Sequence, residues 1–349
     1  MQITIRGAGI FGLSIAWTLR MAGAQVSVID PGGPGAGASG GIVGALAPHV
    51  PEAWNDKKAF QLDSLLMAER FWAEVARAGG TSPGYARSGR LQPIEDDAAL
   101  ERAHARAEGA RTLWRGEADW TVLRASDAGG WAPVSPSGWL IHDTLSARLH
   151  PRRACAALAA ALARNGVEIT PEGREGDCVI HATGAAGLAR IPGPSGPAGP
   201  PAGTGIKGQA ALLDASVPAG AAQIFAGGVH VIPHADGTVG IGSTTERDWS
   251  DPAATDGALD TVIAQARAAV PALRDAPVIG RWAGLRPRAR SRAPLLGPWP
   301  GRPGHFIANG GFKIGFGIAP GVALAMTRLV LEGVDTIPAG FAPVPPREG

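Results

Sequence analysis

"ITIRGAGIFGLSIAWTLRMAGAQVSVID", residues 3–30, decides the fold. Ile3, Thr4 and Ile5 make a short β-branched run suited to a buried strand. Glycines follow at 7, 9 and 12, apolar residues recur with helical spacing as far as Gly23, and "QVSVID" (25–30) reads as a second strand. Gly7-Ala8-Gly9-Ile10-Phe11-Gly12 therefore lies where a dinucleotide fingerprint needs it, after a strand and opening a helix. Gly7 permits the tight turn, Gly9 lets backbone N–H groups approach a pyrophosphate, and Gly12 lets the helix pack closely on the strand. The helix N-terminus adds partial positive charge for the phosphates, with Ile10 and Phe11 supplying its first amides. Asp30, followed by Pro31, closes the second strand 18 residues after Gly12, where a carboxylate accepts hydrogen bonds from a ribose diol. Glycines that serve packing alone are the plainer alternative.

A chain of 349 residues with 45% hydrophobic content has enough apolar surface for one large or two medium globular units. Its 32 basic and 30 acidic residues are dispersed, apart from "RPRARSR" (286–292), which argues against nucleic acid as the main partner. Cys155 and Cys178 lie outside any metal-like spacing and give no disulfide framework, which fits a reducing cytoplasm. The N-terminus lacks the basic segment of a secretion signal, and no stretch reaches the roughly 18–20 uninterrupted apolar residues of a membrane span. A soluble, cytoplasmic protein with no metal site is expected, and its oligomeric state is not legible.

Further along, "PGGPGAGASGGIVGALAPH" (31–49) is too glycine-rich for a regular element and too apolar toward its end for a disordered linker. Helices are expected over 57–78, 97–113, 150–166 and 257–273, with strands at 88–94, 167–169 and within 177–187. "IPGPSGPAGPPAGTG" (191–205) reads as a crossover loop. Beyond it, "GQAALLD", "AAQIFAGG", "VHVIPHADGTVGIGSTTE" and "PVIGRWAGLRPRA" read as antiparallel strands with "ADGT" as a hairpin turn. The last part is strand, glycine turn and helix. This order predicts a Rossmann-like α/β sheet interrupted by a mixed, largely antiparallel second unit. The expected division is 1–50, 144–200 and 287–349 for the first, and 51–143 and 201–286 for the second.

Seven blocks, "GAGASGGIVGALAPH" (35–49), "VIHATGAAG" (179–187), "IKGQAALL" (206–213), "VHVIPHADGTVGIGSTTE" (229–246), "WAGLRPRA" (282–289), "APLLG" (293–297) and "ANGGFKIGFGIAP" (308–320), occur in a telling order. In order and spacing the chain resembles the FAD-dependent D-amino-acid oxidase, glycine oxidase and sarcosine oxidase superfamily, over nearly its whole length. The resemblance implies a glutathione-reductase-type flavoenzyme that oxidises an amine or amino acid. It implies hydride transfer to flavin and an imine that hydrolyses in water. No dedicated catalytic side chain is then required.

By the same resemblance, Ala38, Ser39, Val43, Gly44 and Ala45 run beside flavin and phosphates, and Thr183 and Gly184 approach the adenosine half. His181 beside them reads as a core residue. Gly311, Phe312, Lys313, Ile314, Gly315, Phe316 and Gly317 form the final glycine turn, facing the flavin pyrimidine. Lys313 would face substrate or flavin and hold a carboxylate, or else reach to the surface or pair with a structural acid. Arg286 would anchor the substrate carboxylate with a planar fork, or else belong to the basic group of Arg288, Arg290 and Arg292.

The chain departs from the superfamily in places. It has one tyrosine, Tyr85, where relatives use several; Trp139, Trp249 and Trp282 are candidate pocket walls, with core packing the plainer reading of each. Ser291 stands near a place where relatives have an acid, and the stretch 167–177 lacks room for a strand pair common among them. Val43 before Gly44, and cysteines outside the C-terminal block, imply noncovalent FAD. A small amine or amino acid with oxygen as acceptor is the leading expectation. A dehydrogenase with another acceptor, a tRNA-wobble-uridine-modifying type of flavoenzyme and a non-catalytic flavin subunit are the alternatives.

Overall fold

The computed structural model describes residues 1–193 and 199–343. β1 (Gln2–Arg6), α1 (Ile10–Met21) and β2 (Gln25–Ile29) form a parallel β-α-β unit, as the opening stretch demands. Gly7 takes φ +107°, and a Cβ there would lie 2.3 Å from the Ala182 carbonyl oxygen. A Cβ at Gly12 would lie 1.8 Å from the Gly7 carbonyl oxygen, so the helix touches the strand through bare backbone. The glycine-rich run then leads into β3 (Ala45–Leu46), where Gly44 lies backbone to backbone against Leu149.

α2 (Asp56–Gly79) starts on Asn55, whose side chain accepts from the Lys58 amide, and ends at Gly80 in the left-handed conformation. β4 (Arg90–Pro93), α3 (Asp97–Leu113), β5 (Trp120–Arg124), β6 (Trp139–Asp143) and β7 (Ala147–Arg148) follow. Next come α4 (Pro151–Arg164), with its proline in the first turn, β8 (Ile169–Thr170), β9 (Cys178–His181) and α5 (Gly184–Leu188). β10 (Gly203–Asp214), β11 (Gln223–Ala226), β12 (Val229–Pro233) and β13 (Thr238–Gly242) precede α6 (Gly257–Ala269). The chain returns through β14 (Val278–Ala289), β15 (Leu295–Pro298) and β16 (His305–Asn309) to α7 (Gly315–Glu332).

The first sheet has the order β15-β16-β9-β1-β2-β8, parallel except for β15 with β16. The second has the order β14-β10-β13-β12-β11-β4-β6-β5, antiparallel except for β4 with β11. In the second sheet alternate residues divide cleanly. Ala211, Ile224, Val231 and Ile241 pack with Leu259, Val262 and Ile263 of α6, while the opposite face looks across to the first sheet.

Helix α2, assigned by the expected division to the interrupting unit, packs on α4 and α7 and shares their apolar core. The presumed loop 191–205 needs correction at its end. Gly203, Thr204 and Gly205 already pair with Ala289, Arg288 and Pro287, because β10 and β14 are long partners that extend past the rest of the sheet. Residues 194–198 of that loop lie outside the described residues. The expected helix over 257–273 stops at Ala269, since Pro271 cannot continue it and opens a separate 3₁₀ turn. α7 is apolar and long enough to cross a membrane, but half of that window is buried, with α1 and α2 packed against it.

Gly12→Ala places a methyl against a carbonyl that cannot move without β1. The expected cost is about 3 kcal/mol, the upper end for overpacking, read as a lower thermal unfolding midpoint. Unchanged unfolding would show that α1 is not seated in this way.

Candidate active site

A cavity of about 1410 Å³ lies between the carboxyl ends of β1, β2 and β9 and the inner face of the second sheet. That exceeds the roughly 300–1,000 Å³ of an ordinary small-molecule pocket, and its place outside the strand ends is where open α/β sheets bind ligands. Of the residues expected to touch a cofactor, Gly7, Gly9, Ile10, Phe11, Asp30, Pro31, Ala38, Ser39, Val43, Gly44, Ala45, Thr183 and Gly184 line it, as does the whole run Gly311–Gly317. Gly12 does not line it; its role in the structure is the contact with Gly7.

At the nucleotide end, the Asp30 carboxylate accepts from the Ala8 amide at 2.7 Å and the Gly32 amide at 2.9 Å, tying β2 to the glycine loop. The Ile10 amide donates to Ser39 Oγ at 2.9 Å. The far end is aromatic and basic, with His181 Nε2 3.0 Å from His305 Nδ1, the His181 ring edge-on to Trp299, and Arg302 over Trp299.

The two chain ends meet here. A Cβ at Gly311 would lie 2.7 Å from the Phe11 ring, so the C-terminal turn rests on the N-terminal helix. The first turns of α1 and α7 both open into the cavity, and neither helix carries a side-chain cap of its own. Two positive helix ends thus converge on one space.

At the other end, Phe312 is held at φ +41°, a left-handed conformation costly for a bulky residue. Its ring lies 5.6 Å from Arg286 Cζ, 5.7 Å from Arg288 Cζ and 5.8 Å from Lys313 Nζ. Three cations therefore gather around one aromatic ring. Arg286 is fixed by bonds from Nη1 to Ser243 Oγ (2.6 Å) and from Nη2 to the carbonyls of Thr244 (2.5 Å) and Lys207 (3.3 Å), leaving Nε without a partner. Burial pushes the Arg286 guanidinium down to about 10, against a smaller opposing pull from Glu246. Burial and the charges of Arg286 and Arg288 lower the Lys313 ammonium. Glu246 and Asp256 are engaged elsewhere, with the buried Lys207 ammonium and the Gln209 amide.

Several lining residues were not singled out from sequence. Arg90, His230, His49 and Gln61 belong to this group, with Gln61 bonded to His49 and to the Ala47 carbonyl. Gly208 supports Arg286 from beneath; a Cβ there would lie 2.4 Å from Nη2. Of the proposed tryptophan walls Trp282 lines the cavity, whereas Trp139 lies under Arg124 and Trp249 is exposed. Tyr85 is not a lining residue.

Burial lowers His181 to about 4, and His230 and His234 to about 3, from an ordinary value of 6.5. The unfolded chain binds protons at these sites first. Their contribution to stability is complete above pH 6.5 and is lost as pH falls toward those depressed values. The unfolding midpoint is expected to drop between pH 6.5 and 4.5, and His234→Gln, outside the cavity, is expected to flatten that slope in pH-resolved melts.

A glycine-loop helix on a parallel sheet, roofed by a second sheet that presents cations, defines a dinucleotide-binding protein. The chain belongs to the FAD dependent oxidoreductase family, which matches residues 2–329. It is 35% identical to the glycine oxidase of Pseudomonas putida over 140 residues, a match covering 40% of this chain and only 38% of that enzyme. With the putative thiamine biosynthesis oxidoreductase ThiO of Rhizobium etli it shares 28% identity over 95% of this chain and 97% of the relative. Its fold superposes on iminodiacetate oxidase from Chelativorans sp. BNC1 with a TM-score of 0.82 at 24% identity, covering 99% and 100% of the two chains. That likeness shows the fold.

FAD is the group the family implies, and the residues fit it. A Cβ at Gly37 or Gly184 would meet nothing within 4 Å, and at Gly315 only Ile10 at 3.7 Å, so bare backbone borders open space in a cavity of about 1410 Å³. Gly315→Val would push a branched side chain into that space. Weaker retention of the yellow cofactor on gel filtration is the expected result, measured as the ratio of visible to protein absorbance.

Proposed function

We propose that the protein oxidises the C–N bond of a small amine or amino acid bearing a carboxylate, with noncovalent FAD and with oxygen as the acceptor. The observation that carries this reading is the unneutralised pair Arg286 and Lys313 at the cavity wall, facing the space that suits the flavin. The names of the relatives, glycine oxidase and ThiO, support the same substrate class. Two buried, unpaired thiols at Cys155 and Cys178 suit a cytoplasmic setting.

FAD, when bound, supplies the chemistry by accepting a hydride from the carbon beside the substrate nitrogen. The chain binds and orients. Arg286, held in plane by Ser243 and Thr244, offers the substrate carboxylate a fixed positive charge and the one Nη1 proton not already bonded, and Lys313 offers a mobile point charge. The same cations make an ammonium costly in the cavity, so the nitrogen binds in the neutral form whose lone pair assists hydride loss. Ile42, Val43 and Phe316 exclude water along the apolar side.

Purified yellow protein is mixed anaerobically with glycine, sarcosine, D-amino acids, proline and small amines. Bleaching that reverses in air with peroxide release is expected; bleaching that reverses only with an artificial acceptor would assign a dehydrogenase. A flavin left oxidised by every amine sinks the reading. Arg286→Gln is expected to raise KM about 10- to 100-fold, from the roughly 1.5–3 kcal/mol of a charged hydrogen bond, with a smaller change in kcat. Gly208→Ala, which displaces the guanidinium, is expected to do the same in lesser degree.

A further inference from the structure

The structure assigns a second anion-binding position to this site: we infer that the substrate is an amine carrying two carboxylates, the far one held by Arg90. The inference rests on the reading above for the first carboxylate and goes beyond it. Strand pairing places the relevant side chains on one face. Arg286 lies opposite Ile206, and Ala210, on the same side of β10, lies opposite Gly242. Gly242 pairs with His230, His230 with Phe225, and Gln223, two residues before Phe225, with Arg90. Paired residues share a face and so do positions two apart, so Arg286, His230, Phe225 and Arg90 all look into the cavity, and all four line it.

Arg286 reaches across β10 to bond Ser243 and Thr244, just beyond β13. From β13 to the Arg90 strand β4 is three strand spacings, about 14 Å, a span that an extended small diacid and its two sets of contacts would fill. Lys313 lines the same cavity, and its charge and that of Arg90 both bear on His230.

Arg90 is 6% exposed and donates from Nε to Asp143 Oδ2 at 2.9 Å. Asp143, fully buried, spends its other oxygen on the Ser146 amide at 2.8 Å. That single bond pins the arginine stem. Among the described residues Nη1 and Nη2 have no hydrogen-bond partner, whereas an arginine that served only to close an ion pair would present both arms of its fork. Neither nitrogen is among the fully enclosed unpartnered atoms, and Arg90 lines the cavity, so the free arms of the fork open on that space and can receive an anion. The lining carboxylates, Asp30 and Glu175, are both committed at the nucleotide end, to the glycine loop and to Arg6. A substrate with one carboxylate answers Arg286 and Lys313 and leaves Arg90 unanswered.

The test compares iminodiacetate with N-ethylglycine, which keeps the amine and one carboxylate and replaces the other by a methyl group. Two readouts are taken on the FAD-bound protein: kcat/KM, and Kd from the change in the visible flavin spectrum, which needs no turnover. The inference expects iminodiacetate to be favoured at least tenfold in Kd, with the preference abolished in Arg90→Gln and N-ethylglycine little affected. Because Arg90→Gln strands Asp143, the pair Arg90→Gln with Asp143→Asn is made alongside, and the wild-type ratio stands by itself. Equal binding of the two ligands by the wild-type protein overturns the second anion position. Oxidation of N-ethylglycine or sarcosine would in that case leave the amine-oxidising function intact. Iminodiacetate that binds preferentially but is never oxidised upholds the anion position while removing that function.

Discussion

The structure depends on backbone approaching backbone without side chains between. Gly12 against Gly7 and Gly44 against Leu149 are such contacts, which a single methyl group would open, and bare backbone at Gly311 likewise lets the last turn rest on the Phe11 ring. They bring the first turns of α1 and α7, from opposite ends of the chain, to one cavity. Each helix end contributes a fixed partial positive charge that needs no side chain and does not reorganise on binding. The glycines are therefore the geometric condition for the electrostatics, more than an aid to flexibility.

The two halves of the cavity differ in how they handle charge. At the nucleotide end every carboxylate is satisfied internally, so the loop is shaped before any ligand arrives. At the second-sheet end the acids are drawn away: Lys207 and Gln209 hold Glu246 and Asp256, and Asp143 meets Arg90 through one atom only. What faces inward is positive. Phe312, kept in an unfavourable backbone conformation, sets its ring among these cations.

Much of this was legible in the sequence because it is local. The fingerprint over Gly7–Gly12, helix α3, the β12–β13 hairpin and the final turn follow from short-range spacing and turn chemistry. The resemblance placed Arg286 and Lys313, and both line the cavity. What escaped was set by strand pairing. β5 and β6 are hard to read because their apolar residues divide between two cores, Trp120, Val122 and Ile141 on one side and Leu123 and Leu140 on the other. Arg90 looks like any strand arginine until the register with Gln223 turns it inward. The proline-rich loop concealed the start of β10 since Gly203 and Gly205 lack strand propensity and are held by β14 alone. The inward position of His230 likewise becomes visible only once Phe225 and Gly242 are known to flank it.

The order of the first sheet has a consequence for biosynthesis. β9 lies between β1 and β16, so strands drawn from residues 2–6, 178–181 and 305–309 must be adjacent before the sheet exists. A nascent chain growing at about 5–20 residues per second needs about 15–60 s to reach β16. Throughout that interval α1, apolar on nearly every side, has no partner in α7 to cover it. Cotranslational folding can complete the antiparallel sheet first, and the nucleotide-binding half closes last, which makes the emerging amino-terminal helix the segment most in need of chaperone protection.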